Sequence, residues 1–209
     1  MQNGKILYRI VVEGSSEFNY IQKLNIFLRD NEFGFTFATY NLKGVFPSKK
    51  DTEKNSYKRI KIFLKDEVIP NYENKDRLLI WLDDDVFRRG QLDKSKLESD
   101  LTKFNTKTRK IVFLYNYENF EDFLIMHLSE DKFNKWYQIC AANNHFNNPM
   151  IADEYEDKIR KNIIANYKKA IIPDEIEINK EIILRLKNRQ SNNNFQIKSD
   201  FIKHIYNNF

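Results

Sequence analysis

At 209 residues, with 41% hydrophobic and 31% charged residues, the chain has the size and composition of one globular domain, with or without an appendage. No segment reaches the roughly 20 apolar residues that cross a bilayer, and no secretory leader is recognisable. The single cysteine, Cys140, excludes an intrachain disulfide and argues against a structural zinc site. We therefore expect a cytoplasmic protein with no membrane partner. The net charge of +5 and the pI near 9.0 mildly favour a polyanionic partner such as nucleic acid.

Strand-like and helix-like patterns alternate along the first part of the chain. The predicted strands are 5–13, 34–40, 77–83 and 110–116, and the predicted helices between them are 17–29, 57–68 and 92–104. A polar segment, 43–55, is predicted to be a surface loop. Alternation of this kind predicts an α/β fold with a mostly parallel sheet flanked by helices, because parallel strands need helical crossovers.

The remainder of the chain has helical patterns alone. The predicted helices are 119–129, 132–142, 154–169, 180–187 and 198–206. We therefore expect a first domain over residues 1–130 and a C-terminal helical extension over 131–209 that packs on it. The extension alternates charged residues around Ile and Leu stripes, so it also suits assembly, and a homodimer is left open.

Carboxylates follow two of the predicted strands at their C-terminal ends. Glu13-Gly14 ends the first strand, and Asp83-Asp84-Asp85 ends the strand at 77–83. Ligands of open α/β sheets bind at this edge, and alternation directs Asp83 and Asp85 to one side with Asp84 opposed. Clustered carboxylates repel one another, and a hard divalent cation such as Mg²⁺ offsets that repulsion.

Each carboxylate group also has a simpler interpretation. A run of three aspartates is commonly a solvated turn that caps a helix, and Glu13-Gly14 alone is a weak signal. Their joint occurrence, in this order and at these strand ends, favours a metal site.

The same residues resemble the Toprim domain, which topoisomerases, DnaG-type primases, OLD-family nucleases and several phage-defence nucleases share. The pattern is Glu-Gly-x-x-Glu after a first strand and Asp-x-Asp after a later apolar strand, about 70 residues on. The matching residues here are Glu13, Gly14 and Glu17, followed by Asp83 and Asp85. The resemblance implies a Toprim-like, Rossmannoid sheet over the first domain.

A third segment, 116–128, resembles the Asn-Pro-x-Phe-Glu-x-Trp-Leu-Leu-x-His-Phe stretch of RloB-like proteins. Tyr117 replaces the usual proline and Phe123 the usual tryptophan. The matching residues are Phe120, Glu121, Leu124 and His127. The likeness covers roughly residues 5–130, and the helical remainder resembles no family that we can name.

The resemblance implies metal-dependent chemistry on phosphodiester bonds. It implies that Glu13 is a metal ligand or general acid/base and that Asp83 and Asp85 bind Mg²⁺ (or Mn²⁺). It also implies that Glu121 is a further acidic site residue, consistent with a two-metal site. Supporting roles fall to Glu17, Glu118 and His127. Glu118 and Glu121 share a helix face, so either could serve, and a core position is the simpler interpretation of His127.

Four basic residues are candidates for contact with a phosphate backbone. Arg88 and Arg89 follow the aspartates directly, and Lys49 and Lys50 lie in the predicted loop. An ordinary solvated face explains each of them equally well.

The function that these patterns favour is a Mg²⁺-dependent endonuclease acting on RNA such as tRNA, or on DNA. RloB-like proteins commonly accompany an ABC-type ATPase, which implies an anti-phage effector that this partner controls. The chain has no GxxxxGK[ST] motif, so ATP hydrolysis would belong to the partner. A primase or topoisomerase is disfavoured because the chain is short and lacks their additional modules. The alternative is a catalytically silent module that binds nucleic acid or the ATPase.

Overall fold

The computed structural model describes residues 6–42, 53–73, 76–84, 87, 93–117, 119–148, 150 and 152–208. Its backbone forms two compact units, residues 1–114 and residues 115–209. The sequence-based division near residue 130 concerns the extent of a catalytic domain, and it stays a prediction.

The first unit is built on a parallel sheet. Its strands are β1 (Ile6–Val12), β2 (Phe35–Asn41), β3 (Arg77–Asp83) and β4 (Ile111–Asn116), in the order β2-β1-β3-β4. β1 pairs in parallel with both neighbours, and Val12 lies opposite Asn41 on one side and Trp81 on the other. The α/β prediction is confirmed: the sheet is wholly parallel, flanked by helices and Rossmann-like.

The apolar runs explain why β1 and β3 are the central strands. Residues 78–82 of β3 are all buried, as are Ile10, Val11 and Val12 of β1, so both faces of these strands are covered. A strand with polar alternation would expose one face, whereas a continuous apolar run suits the middle of a parallel sheet.

Between the strands along the chain, the described residues of the first unit include the helices α1 (Ser15–Asp30), α2 (Glu53–Phe63) and α3 (Lys94–Thr102). α2 continues into a π-helical turn, Leu64–Val68, and a 3-10 turn, Ile69–Asn71. The predicted loop at 43–55 is wrong over Glu53–Asn55, which already belong to α2, and the rest of that loop lies outside the described residues.

The second unit is helical, as the sequence predicted for the end of the chain. Its helices are α4 (Phe120–Ile125), α5 (Glu130–Ala142), α6 (Ala152–Asn162), α7 (Lys180–Ser191) and α8 (Asp200–His204), followed by a 3-10 turn, Tyr206–Asn208. Large buried side chains, Phe120, Phe123, Phe133, Trp136 and Phe201, form its core.

Three predicted helices in this unit are too long, and the one predicted over 198–206 forms only Asp200–His204. The helix predicted over 119–129 ends at Ile125, because Ser129 must leave the helix to cap α5, where its Oγ accepts from Lys132 N. The helix predicted over 154–169 ends at Asn162, and a turn follows in which Asn166 and Ala170 adopt left-handed φ angles of 60° and 68°.

The short helix α4 is fixed at both ends. Asn119 Oδ1 accepts from Asp122 N at its start. After its end, Arg189 Nη1 donates to Met126 O at 2.7 Å and to Leu128 O at 2.9 Å, and Arg185 donates to Leu128 O as well. These bonds satisfy carbonyls that a helix end leaves without partners.

Among the helices that the structure describes, none has the length and apolar character to cross a bilayer.

Candidate active-site residues

The strand order places the C-terminal ends of β1 and β3 side by side. From β1 the chain moves to β2 on one side of the sheet, and then returns to β3 on the other side. Open α/β sheets bind their ligands at such a reversal, outside the C-terminal ends of the two strands. Glu13 directly follows β1 and Asp83 ends β3, so topology brings both residues to this edge.

A hydrogen bond joins these two positions. Asp83 N donates to Glu13 Oε2 at 3.3 Å, although the residues are 70 positions apart in the sequence. Asp83 is buried, and Glu13 is half-buried. The Glu13 carboxylate therefore lies against the backbone of an aspartate from the neighbouring strand, and carboxylates are the hard oxygen donors that suit Mg²⁺ or Mn²⁺. Asp85 lies outside the described residues.

Gly14 and Glu17 form the start of α1. Gly14 is the N-cap residue, and its N–H donates to Glu17 Oε2 at 3.2 Å, which is one half of a capping box. A Cβ at position 14 would stand 3.3 Å from the same oxygen, so glycine leaves the room that this contact uses. Buried Glu17 thus secures the turn that follows Glu13, and its supporting role at a metal stays a prediction.

Asp84 differs from Asp83 in its surroundings. Its Oδ1 lies 2.8 Å from Lys94 Nζ, at the first residue of α3. The alternation of the strand predicted that Asp84 would point away from Asp83, and an ion pair with Lys94 accounts for its presence without a metal.

Glu121 belongs to the second unit, in the first turn of α4. Its carboxylate is buried, with Tyr167 Oη 3.5 Å and Lys169 Nζ 3.9 Å from Oε1. A carboxylate in a first helical turn is also favoured by the helix dipole. That Glu121 joins Glu13 and Asp83 in one site stays a prediction, and Glu118 lies outside the described residues.

His127 is buried at the end of α4. Its Nδ1 lies 3.1 Å from Phe123 O and 3.2 Å from Leu124 O, and its ring meets the Phe123 ring edge to face at 5.0 Å. Since both neighbours are carbonyl acceptors, we assign the proton to Nδ1. These contacts suit a core histidine.

A buried group that sequence patterns did not suggest surrounds Asp122. Cys140 Sγ lies 4.0 Å from Asp122 Oδ1, and His145 Nε2 lies 3.1 Å from Asp122 Oδ2. Carboxylate, thiolate and imidazole are all zinc ligands, and the three atoms are close enough to share an ion. The only hint in the sequence is the short spacing between Cys140 and His145, and Asp122 lies 18 positions before Cys140.

The hydrogen bonds around this group favour protons over a metal. Met150 N donates to His145 Nδ1 at 3.0 Å, and a backbone amide can only donate, so Nδ1 carries a lone pair and Nε2 carries the proton. That proton points at Asp122, whose other oxygen accepts from Trp136 Nε1 at 2.6 Å. Because Nε2 then has no lone pair to give, we interpret Asp122 as a hydrogen-bonded hub.

Tyr155 lies against the same hub and adds to it. Its hydroxyl donates to Asn119 Oδ1 at 2.8 Å, the oxygen that also caps α4. Burial first, and then the negative charge of Asp122, raise the pKa of Tyr155 well above its usual range. The hydroxyl therefore keeps its proton as a donor.

The basic residues that the sequence singled out are not placed by the structure. Arg88, Arg89, Lys49 and Lys50 all lie outside the described residues. Their contact with nucleic acid stays a prediction.

Comparisons with known proteins do not extend the picture. Neither the family models, nor the curated proteins, nor the solved structures contain a match to this chain. The Toprim and RloB-like resemblance therefore stays a proposal based on the residues quoted above.

Proposed function

We propose that this protein is a metal-dependent nuclease that cleaves phosphodiester bonds in nucleic acid. The observation that carries the proposal is the contact between Glu13 and Asp83 at the reversal point of the sheet. Glu13 and Asp83 meet although they are 70 positions apart in the sequence, and their carboxylates would supply oxygen donors for a hard cation at the edge where this class of sheet binds ligands.

The residues at this edge have distinct tasks. Glu13 and Asp83 would hold Mg²⁺ or Mn²⁺ with Asp85, and the ion would supply Lewis-acid stabilisation of the phosphate and activation of a water. The hydrogen bond from Asp83 N orients the Glu13 carboxylate, and Glu17 fixes the turn behind it. The mild excess of positive charge favours a polyanionic substrate, and RNA such as tRNA and DNA both fit.

The setting of this activity is part of the proposal. By its resemblance to RloB-like proteins, the chain would act in the cytoplasm as the toxic effector of an anti-phage system. By the same resemblance an ABC-type ATPase would be its partner and would hydrolyse ATP, since the chain has no GxxxxGK[ST] motif. The alternative is a catalytically silent module that binds nucleic acid or the ATPase. A cleavage assay distinguishes this module from the nuclease.

The test is cleavage of total tRNA and of DNA, with Mg²⁺ or Mn²⁺ and with or without the partner ATPase. We expect Glu13→Gln and Asp83→Asn each to lower the rate at least about 100-fold, because even residues that only support metal ligands contribute about 10- to 100-fold. Chelation by EDTA is expected to stop cleavage.

The matched control is Glu32→Gln, which removes an exposed carboxylate just before β2, at the opposite edge of the sheet. It is expected to leave the rate unchanged. Cleavage that persists in the Glu13 and Asp83 variants would contradict the proposed site. Binding without cleavage under every condition would instead support the silent module.

A further inference from the structure

Glu121 has a lysine and a tyrosine beside it that come from a different part of the second unit. Lys169 Nζ lies 3.9 Å and Tyr167 Oη lies 3.5 Å from Glu121 Oε1. The two residues lie in the turn after α6, more than 40 positions along the chain from Glu121. Neither residue belongs to the motifs in the first 130 residues.

The turn that carries them is firmly built. Ile163 and Ile164 anchor its start in the core, and Tyr167 N donates to Ile164 O at 3.2 Å. Its end passes through Ala170 at φ 68°, a left-handed conformation that costs an alanine about 1–2 kcal/mol. Strained backbone of this kind persists where the surroundings determine it, often beside functional groups.

The exposure of the two charged side chains differs sharply. The Glu121 side chain is 8% exposed, whereas the Lys169 side chain is 59% exposed. The ammonium group therefore extends from a buried carboxylate to the solvent. An ammonium has three donors and a compact charge, so it can contact the carboxylate and a phosphate oxygen of a ligand together.

We propose that Lys169 is a nucleic-acid contact: its ammonium binds a phosphodiester of the substrate beside Glu121, while Tyr167 orients the Glu121 carboxylate. This inference rests on the proposed function in taking nucleic acid as the substrate, and on the sequence-based prediction that Glu121 is a site residue. It assigns to the helical unit a direct part in holding the substrate.

Salt dependence of binding tests the contact directly. Fluorescence anisotropy measures the affinity of the full chain for a labelled single-stranded oligonucleotide, as RNA and as DNA, with Ca²⁺ in place of Mg²⁺. Each phosphate contact adds about 0.7 to the slope of log affinity against log salt for single strands. We expect the slope for Lys169→Gln to be smaller in magnitude by about 0.7, and its binding to be roughly 2- to 5-fold weaker near 0.1 M salt.

Two variants serve as controls. Lys169→Arg keeps the charge and is expected to keep the slope. Lys168→Gln removes an exposed lysine next to it in the sequence, and is expected to leave the slope unchanged. An unchanged slope for Lys169→Gln, or an equal loss for Lys168→Gln, would overturn the contact, and so would failure of the wild-type chain to bind either probe.

The result is separable from the fate of the proposed nuclease. If the chain binds with a slope that depends on Lys169 but cuts nothing, the nuclease proposal fails and the phosphate contact stands. If cleavage depends on Glu13 but the slope is the same with and without Lys169, the nuclease proposal stands and the phosphate contact fails. Tyr167→Phe adds a third readout: we expect slower cleavage with an unchanged slope.

Discussion

At the scale of single residues, Asp122 of the second unit has partners on both carboxylate oxygens. Its carboxylate accepts from Trp136 and His145, and its backbone N–H donates to Asn119. The sequence neighbour Glu121 is directed to Tyr167 and Lys169 instead. Adjacent carboxylates on one short helix thus separate into a structural residue and a candidate site residue.

Replacement of Asp122 tests the hydrogen-bonded hub. In Asp122→Asn, the amide presents a donor where two N–H groups need an acceptor, so buried donors lose partners. We expect the free energy of unfolding to fall by about 3 kcal/mol, measured by urea denaturation. Asp174→Asn, at an exposed position, is expected to change it by no more than about 0.5 kcal/mol. Equal losses in the two variants would contradict the hub.

Metal analysis distinguishes the hub from a zinc site. If Nε2 of His145 carries a proton, the purified protein is expected to hold no stoichiometric zinc, and EDTA is expected to leave its Tm unchanged. One equivalent of zinc, with loss of structure on chelation, would show that Cys140, His145 and Asp122 are ligands.

At the scale of elements, Asp100 of α3 connects to α2. It receives hydrogen bonds from Lys103 in the next turn and from Lys61 of α2, at 2.7 and 2.6 Å. These two bonds, the Lys103 bond first, lower the pKa of Asp100 to about 2. Since the pKa is depressed by folding, the stabilisation is present above pH 4 or so and is lost as the pH falls towards 2.

A pH series checks this connection. We expect Asp100→Asn to lower the free energy of unfolding by about 1 kcal/mol at pH 7, a figure reduced for solvent screening. The difference from the wild type should shrink between about pH 4 and pH 2, because the unfolded chain protonates Asp100 near pH 4 whereas the folded chain does so only near pH 2. The exposed Asp66→Asn is the control. A deficit that stays constant down to pH 2.5 would contradict the ionic origin.

The sequence predicted the strands well and the helix ends poorly. Continuous apolar runs such as 78–82 have few interpretations, so the parallel sheet and the meeting of Glu13 with Asp83 followed from pattern and topology. Helix ends depend on local competition, and Ser129 could cap α5 only once the preceding helix stopped. No periodicity reveals such a choice in advance.

Side-chain partners that are distant in sequence and lie away from the strand ends were beyond prediction. The bonds of His145 to Asp122 and to Met150 depend on the tertiary path of the chain after α5. Likewise Lys169 was one exposed lysine among many until the turn after α6 placed it beside Glu121. Charge composition alone gives no reason to prefer it.

At the scale of the whole molecule, the proposed cation site is at the sheet edge, while the core residues lie elsewhere. β1 and β3 are covered on both faces by apolar contacts, and Glu13 and Asp83 come only where the strands end. We therefore expect folding not to need the proposed ion, and binding of the ion would add stability by mass action.

Thermal unfolding with and without Mg²⁺ measures this linkage. At about ten times the dissociation constant, a ligand adds about 1.4 kcal/mol, which raises the Tm by roughly 2–8 °C. We expect the shift in the wild type and in Glu32→Gln, and its loss in Glu13→Gln. The same shift in all three proteins would place the ion at another site.

The buried thiol of Cys140 makes the protein its own reporter of local opening. It is the only cysteine of the chain and is fully buried beside Asp122. A thiol reagent can reach Cys140 only when the second unit opens around α5. The labelling rate therefore reports how often this opening occurs, without any introduced probe. Labelling at graded denaturant would then show whether the second unit opens alone or only when the whole chain unfolds.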